Sequence, residues 1–232
     1  VRDFKGTKSS VLGRERHFSI RRSLGFGLLV VLLILAFVSL AGEMLEGDTH
    51  AFDMLVLRSA QAMRAAHPGV SEIMRDLSGL GSVFVLTLFT TITVGYLALI
   101  SYRANAFLVA AAAISGSICV SVFKVAFGRA RPDAAYADLV VTGLSFPSGH
   151  ATMSAVVFLI LGTLAASNRT RWIERIYILY SAALMTVLVG VSRIALGVHW
   201  ATDVLGGWAF GSAWAIAWLL LAKTLGRRLH RH

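Results

Sequence analysis

The sequence predicts an all-α protein, a bundle of six transmembrane helices with its polar site at the outer, periplasmic ends of helices three to six. Three observations predict it. Of the 232 residues 56% are hydrophobic and only 15% are charged. Five stretches approach or exceed the roughly 18 apolar residues that a spanning helix needs. Lys and Arg collect on one side of the apolar runs, as they do on the cytoplasmic side of a membrane protein.

Apolar runs between charged or turn-rich breaks put the helices at 24–42, 82–101, 105–127, 149–167, 176–195 and 200–222. The first run is about nineteen residues long, and Ala41-Gly42-Glu43 lacks the small-x-small pattern of a signal-peptide cleavage site, so the run is expected to stay as the first helix. The segment that follows, 43–81, carries six acids against three Arg. Within it Phe52, Leu55, Val56 and Met63 recur at roughly helical spacing, which leaves open an interfacial amphipathic helix and an ordinary solvated connector. The second and third runs are interrupted only by the turn at Arg103, and the third ends where Gly128 and Pro132 forbid a longer helix. Polar residues enter the fourth to sixth runs only at their ends. With no linker, low-complexity tract or internal repeat, the chain is expected to form one domain over 1–232: a basic tail 1–23, a six-helix core 24–222 and a second basic tail 223–232.

Charge fixes the expected orientation. The 1–23 tail, the turns at Arg103 and at Arg169, Arg171 and Arg175, and the C-terminal tail hold 15 of the 22 Lys and Arg, so both tails should be cytoplasmic. The net charge of +10 is then a topology signal and a contact for anionic lipid, with no nucleic-acid partner. Short loops and the lack of an organelle signal point to a bacterial inner membrane. Cys119 stands alone, which excludes a disulfide framework and a Cys-based metal site. Neither is there a His, Asp and Glu grouping suited to zinc or magnesium, and no cofactor is expected. Oligomeric state is not legible.

Three polar clusters sit at helix ends on the opposite side. Ionisable residues there are costly and call for a function. The first is Lys124 with Arg131 and Pro132. An ammonium and a guanidinium fork can meet a phosphate dianion, although for these two residues alone, snorkelling cations are the commoner explanation. Arg129, between them, is expected to be a solvated or lipid-facing charge. The second cluster is Pro147-Ser148-Gly149-His150, which starts the fourth helix. Ser148 is suited to the N-cap, Gly149 to close backbone approach, and the free amides to seating an anion, while His150 stands where it can protonate a leaving oxygen. Pro-Ser-Gly also starts many helices with no ligand. The third cluster is Ser192-Arg193 with His199 and Asp203. Four residues apart on a helix, the carboxylate can orient the imidazole and leave its other nitrogen free to attack. Taken alone such a pair is more often a cap or surface contact; beside the other two clusters and Arg193 the catalytic reading prevails.

These eleven positions, in this order and spacing over residues 124–203, resemble the tripartite motif of the type 2 phosphatidic acid phosphatase family, in its integral-membrane bacterial lipid phosphatase branch. Three motifs must coincide, which makes the resemblance specific. It implies a metal-independent phosphatase with His199 as nucleophile through a phosphohistidine, Asp203 orienting it, and His150 as acid and then base. It further implies that Lys124, Arg131, Ser148, Gly149 and Arg193 bind phosphate, with Pro132, Pro147 and Ser192 as motif support. The substrate class it implies is a membrane lipid phosphate in the bilayer: phosphatidic acid, phosphatidylglycerol phosphate, undecaprenyl pyrophosphate or a lipid A phosphate. Related haloperoxidases bind vanadate in the same site chemistry, but they are soluble. Two other functions share parts of the pattern: a lipid phosphotransferase with the same intermediate, and a transporter for phosphate or anionic lipid. The charges cluster at one face and leave the helix centres apolar, so no through-path for transport is evident. Residues 133–142 are expected to shape the headgroup entrance, and Trp200 and Trp208 to serve as interface anchors or packing rather than a binding cage.

Overall fold

A computed structural model describes the backbone of residues 5–229 and the side chains of residues 23–225. The charge-based assignment of both basic tails to the cytoplasm rests largely on side chains outside the described residues. Eight α-helices occur among the described residues: α1 (Lys5–Glu46), α2 (His50–Ala66), α3 (Gly69–Gly79), α4 (Val83–Leu99), α5 (Arg103–Phe127), α6 (Gly149–Ser167), α7 (Trp172–Ala195) and α8 (Ala201–Leu229). No strand is present among them. Among the described residues six segments are long and apolar enough to cross a membrane, and each overlaps one of the six predicted runs, the second starting well before the expected 82: Ser23–Glu46, Gly69–Leu99, Arg103–Phe127, Gly149–Ser167, Trp172–Ala195 and Ala201–Leu225. The protein is an integral membrane protein.

Two differences from the expected layout matter. The helix that includes the first span begins at Lys5, inside the expected tail. The segment after it is not a solvated connector. It folds as α2 and α3, joined at His67-Pro68, and both pack on α7, with α2 also touching α8. The apolar residues that signalled α2 face outward, since Phe52, Leu55 and Met63 are exposed, while Asp53, Leu57 and Ala60 turn into the bundle. An interfacial helix with a polar anchor on its inner face fits both facts.

The central packing unit is α6, which lies against α5, α7 and α8, while α1 covers α8 and α4 covers α5. Lipid tails are as apolar as Leu, so helix association in a bilayer relies on close van der Waals fit through small residues. Here α6 and α8 meet that way: an added Cβ on Gly211 would lie 2.5 Å from the Thr152 carbonyl oxygen and 2.8 Å from the Ala155 Cβ. The faces turned away from the bundle are apolar, as on α4, where Val83, Phe84, Phe89, Ile92 and Leu99 are exposed. An aromatic cluster holds the site end. Phe146, fully buried, stacks on Phe37 of α1 at 5.6 Å and meets Phe127 of α5 edge-on at 5.1 Å. Such ring pairs add about 0.5–1.5 kcal/mol each beyond area burial and pin the loop between α5 and α6.

If this close α6–α8 approach is a main source of stability, Gly211→Ala should destabilise the protein by about 1–3 kcal/mol. The effect is read as a lowered thermal midpoint of detergent-solubilised protein, and an unchanged midpoint would contradict the packing described.

Candidate active site

Four helix ends converge on one face: the C-termini of α5 and α7 and the N-termini of α6 and α8. α5 stops at Gly128, whose left-handed backbone (φ 60°) lets its N–H return to the Lys124 carbonyl in a C-terminal cap. The chain then runs irregularly to Ser148, with one 3₁₀ turn at Ala134–Tyr136, before α6 begins. Between α7 and α8 the chain reverses through Gly197, at φ 70°, where any Cβ would overlap the Tyr136 carbonyl. That turn brings His199 and Asp203 back beneath Arg193.

A cavity of about 700 Å³ collects Lys124, Arg131, Gly149, His150, Arg193 and His199 at its polar end, and continues as a groove along α4, α5 and α6 lined by Leu86, Val94, Ile114, Ile118 and Val157. The cations are aimed by hydrogen bonds to fixed partners. Lys124 Nζ donates to the Leu144 and Ser145 carbonyls at 2.6 and 3.3 Å. Arg131 donates from Nε to Gly143 O at 3.0 Å and from Nη1 to Val198 O at 2.8 Å. Arg193, buried, donates from Nη1 to the Ser78 hydroxyl of α3 at 2.6 Å, and its Nε has no partner among the described residues. Three cations held this way keep spare N–H groups of the kind that can meet a dianion.

His199 is 2% exposed, and its two nitrogens face opposite ways. Nδ1 is 3.2 Å from Asp203 Oδ2. Nε2 is 3.0 Å from Arg131 Nη1, an atom that can only donate, so Nε2 carries the lone pair and Nδ1 the proton. The imidazole therefore turns an unprotonated nitrogen toward the cavity, its lone pair accepting from Arg131. Burial holds its pKa below the ordinary value, at about 4; Arg131 and Arg193 push in the same direction, and the hydrogen bond and charge of Asp203 oppose them.

Of the predicted residues, six line the cavity. Ser148 stands behind it at the N-cap position of α6, but its buried hydroxyl makes no capping bond and has no partner among the described residues. Its backbone N–H donates to the Asp203 carbonyl at 3.0 Å, which ties the second cluster to the third. Asp203 is fully buried behind His199. Pro147 precedes Ser148 in the same buried turn, and Pro132 lines a separate outer hollow of about 180 Å³ formed with residues 134–141. The Ser192 hydroxyl donates to Val189 O at 2.7 Å inside α7 and takes no part in the cavity. Trp200 and Trp208 are packing residues: the indole N–H groups donate to Ala130 O and Thr186 O at 2.9 and 3.1 Å.

One expectation is overturned. Arg129 is neither solvated nor lipid-facing; its side chain is 13% exposed, bridges Asp53 and Asp203 at 2.6 Å each, and lies under the Trp200 ring at 5.4 Å. The turn after Gly128 swings Arg129 toward α8, where two buried carboxylates need a cation. Sequence reasoning also missed Asp53, whose signal was an acid amid an apolar helical pattern, and Ser145, whose hydroxyl donates to Asp203 Oδ2. Neither Ser78 nor Ser145 has a local pattern that would single it out.

A model of the PAP2 superfamily matches residues 105–227. Phosphatidylglycerophosphatase B of Bacillus subtilis is 32% identical over 188 residues, covering 78% of this chain and 88% of the relative. Undecaprenyl-diphosphatase of Sulfolobus acidocaldarius is 39% identical over 71 residues, 31% of this chain and 30% of the relative. The crystal structure of a transmembrane PAP2-type phosphatidylglycerolphosphate phosphatase from Bacillus subtilis superposes with a TM-score of 0.76 at 26% identity, covering 86% of this chain and 96% of the other.

The imidazole state is directly measurable. Nitrogen-15 NMR of His-labelled protein in micelles should show His199 neutral at pH 6, with a midpoint near 4. An unfolded His binds its proton near pH 6.5, so the contribution of His199 to stability falls as pH drops from about 6.5 toward the folded value. A midpoint at 6.5 or above would contradict this environment.

Proposed function

Because this chain belongs to the PAP2 superfamily and is a phosphoric ester hydrolase, we propose that it removes phosphate from a membrane lipid through a phosphohistidine at His199. The observation that carries the proposal is the joining of three cations, an unprotonated His199 Nε2 and an apolar groove in one cavity. The clamp suits a phosphate and the groove an acyl or prenyl chain, so an amphiphile with its phosphate at the membrane boundary fits both ends.

In the first step Nε2 attacks phosphorus, the N–P bond forms, and the P–O bond to the lipid breaks as His150 delivers a proton to the departing oxygen. Asp203 accepts the Nδ1–H and balances the charge that develops on the ring. Lys124, Arg131, Arg193 and the Gly149 amide hold the phosphoryl oxygens, with the spare Ser148 hydroxyl behind the cavity wall as a further donor. In the second step water attacks phosphorus, His150 takes its proton, the N–P bond breaks and the electron pair returns to Nε2. No metal is required by this sequence of steps. Phosphatidylglycerol phosphate is the first substrate to test, because a relative named for it aligns with most of the chain. Phosphatidic acid, undecaprenyl pyrophosphate and lipid A phosphates follow. The distribution of Lys and Arg supports a multi-pass protein of a bacterial inner membrane, with both basic tails cytoplasmic and the site on the far side.

Purified protein in micelles with excess EDTA should release inorganic phosphate from this panel, and His199→Ala should lower the rate by about 10³-fold or more while leaving the protein folded. Silence of folded wild type across the panel, or activity that survives His199→Ala, would sink the reading. Ser148→Ala makes a finer test. Its hydroxyl has no partner among the described residues, so removal should leave the thermal midpoint within experimental scatter yet weaken inhibition by vanadate about tenfold. Vanadate inhibition equal to wild type would remove Ser148 from the clamp.

A further inference from the structure

Behind the proposed nucleophile, Asp203 belongs to a buried charge network whose other charged members, Arg129 and Asp53, the phosphatase reading does not use. Asp203 accepts four hydrogen bonds: at Oδ2 from the Ser145 hydroxyl, His199 Nδ1 at 3.2 Å and the Trp200 N–H at 2.9 Å, and at Oδ1 from Arg129 Nη1 at 2.6 Å. Arg129 Nη2 reaches Asp53 Oδ2 of α2 at 2.6 Å. Asp53 is fully buried and also accepts the Thr202 N–H at 2.9 Å and the Thr202 hydroxyl at 2.7 Å. The Thr202 oxygen in turn accepts from Arg129 Nη1 at 2.8 Å. Two carboxylates thus share one guanidinium, and the network carries a net charge of −1 while His199 is neutral.

That surplus has a chemical use. Were Arg129 alone against Asp203, the pair would be neutral, and little field would remain to stabilise positive charge on the imidazole. We infer that Arg129 and Asp53 are positioning residues for the His199–Asp203 pair: Arg129 fixes the carboxylate through Oδ1, and Asp53 cancels the guanidinium charge so that Asp203 serves the imidazole. The inference rests on the phosphatase reading above, and extends it to α2, an outer helix that contributes no residue to the cavity wall. Groups facing His199 from other elements are Arg131 of the loop after α5, Arg193 of α7, Lys124 of α5 and His150 of α6. None of them touches Asp53, so changes at Asp53 reach His199 by way of Arg129 and Asp203.

The test compares Asp53→Asn, Arg129→Gln and the double variant by nitrogen-15 titration of His199 and by kcat/KM. Asp53→Asn leaves the guanidinium uncompensated and should lower the His199 midpoint; Arg129→Gln removes the cation and should raise it; the neutral double variant should return it to the wild-type value. Each single variant should lose about 10–100-fold in kcat/KM, and the double should recover to within about tenfold of wild type. Midpoints that stay at the wild-type value in both single variants would overturn the inference, because a merely structural pair would alter stability without moving the imidazole. A lone buried charge can prevent folding. Should a single variant fail to fold, the double variant and Arg129→Lys decide. Both should hold the wild-type midpoint, with kcat/KM of the Lys variant down about tenfold, and a displaced midpoint in either overturns the inference. Phosphate release by wild type with unmoved midpoints rejects this inference alone. Midpoints that move as stated in a wild type unable to release phosphate reject the phosphatase reading alone.

Discussion

The fully buried Asp203 carboxylate is the point on which the polar end of this bundle depends. A buried carboxylate without partners is untenable in a low-dielectric setting, and the cost of desolvation is offset only by several well-aimed donors. Asp203 obtains them from three segments: Arg129 from the chain after α5, Ser145 from the loop before α6, and His199 and Trp200 from its own helix start. Its backbone carbonyl adds a fourth region by accepting the Ser148 N–H at the start of α6. Satisfying one charge thereby brings together segments up to seventy-four residues apart in the chain. The same demand orients the imidazole, since the nitrogen given to Asp203 cannot also face the cavity.

The outer helices extend that logic. Arg64 of α2 donates to the Ala195 and Tyr136 carbonyls, capping the end of α7 where helix carbonyls would otherwise lack partners. Arg75 of α3 pairs with Asp138 at 2.8 Å, and the Asp138 N–H donates to Leu196 O at 2.9 Å, so the 133–142 loop is fastened both to α3 and to the turn before His199. Ser78 of α3 holds Arg193. A segment whose sequence left a connector and an amphipathic helix equally open is thus a pair of helices whose inward residues hold the site loops and Arg193 and whose outward face carries the exposed Phe52, Leu55 and Met63.

The six spans were legible because length and apolarity are local properties of a sequence, and the clusters at Lys124–Pro132, Pro147–His150 and Ser192–Asp203 because their costly charges sit at span ends. Cavity neighbours such as His150 and Arg193 could be named before any coordinates. The rest depends on contacts that no local pattern encodes. Arg129 resembles any interfacial cation until the turn at Gly128 directs it inward, and Asp53 is an acid in an acidic segment until α2 docks on α8. Ser148 was expected to cap α6, which its position allows; instead its hydroxyl is left spare while its N–H is taken by Asp203. In each case tertiary packing decided among roles that the residue type permits.

The location of the site at the membrane boundary follows from two costs acting in opposite directions. Three cations deep in hydrocarbon would be prohibitive, whereas in open water their attraction for a dianion would be screened and weak. At the ends of α5 to α8 the cations are partly desolvated, yet each is held by carbonyls or hydroxyls that the fold has already ordered. An anion arriving there meets donors that need no further reorganisation. The groove along α4 and α5 continues from the same cavity into the depth of the bundle, so an apolar chain attached to that anion need not leave the bilayer for its headgroup to reach His199. On the proposed reading, a soluble phosphate ester would gain only the clamp, while a lipid would gain clamp and groove together.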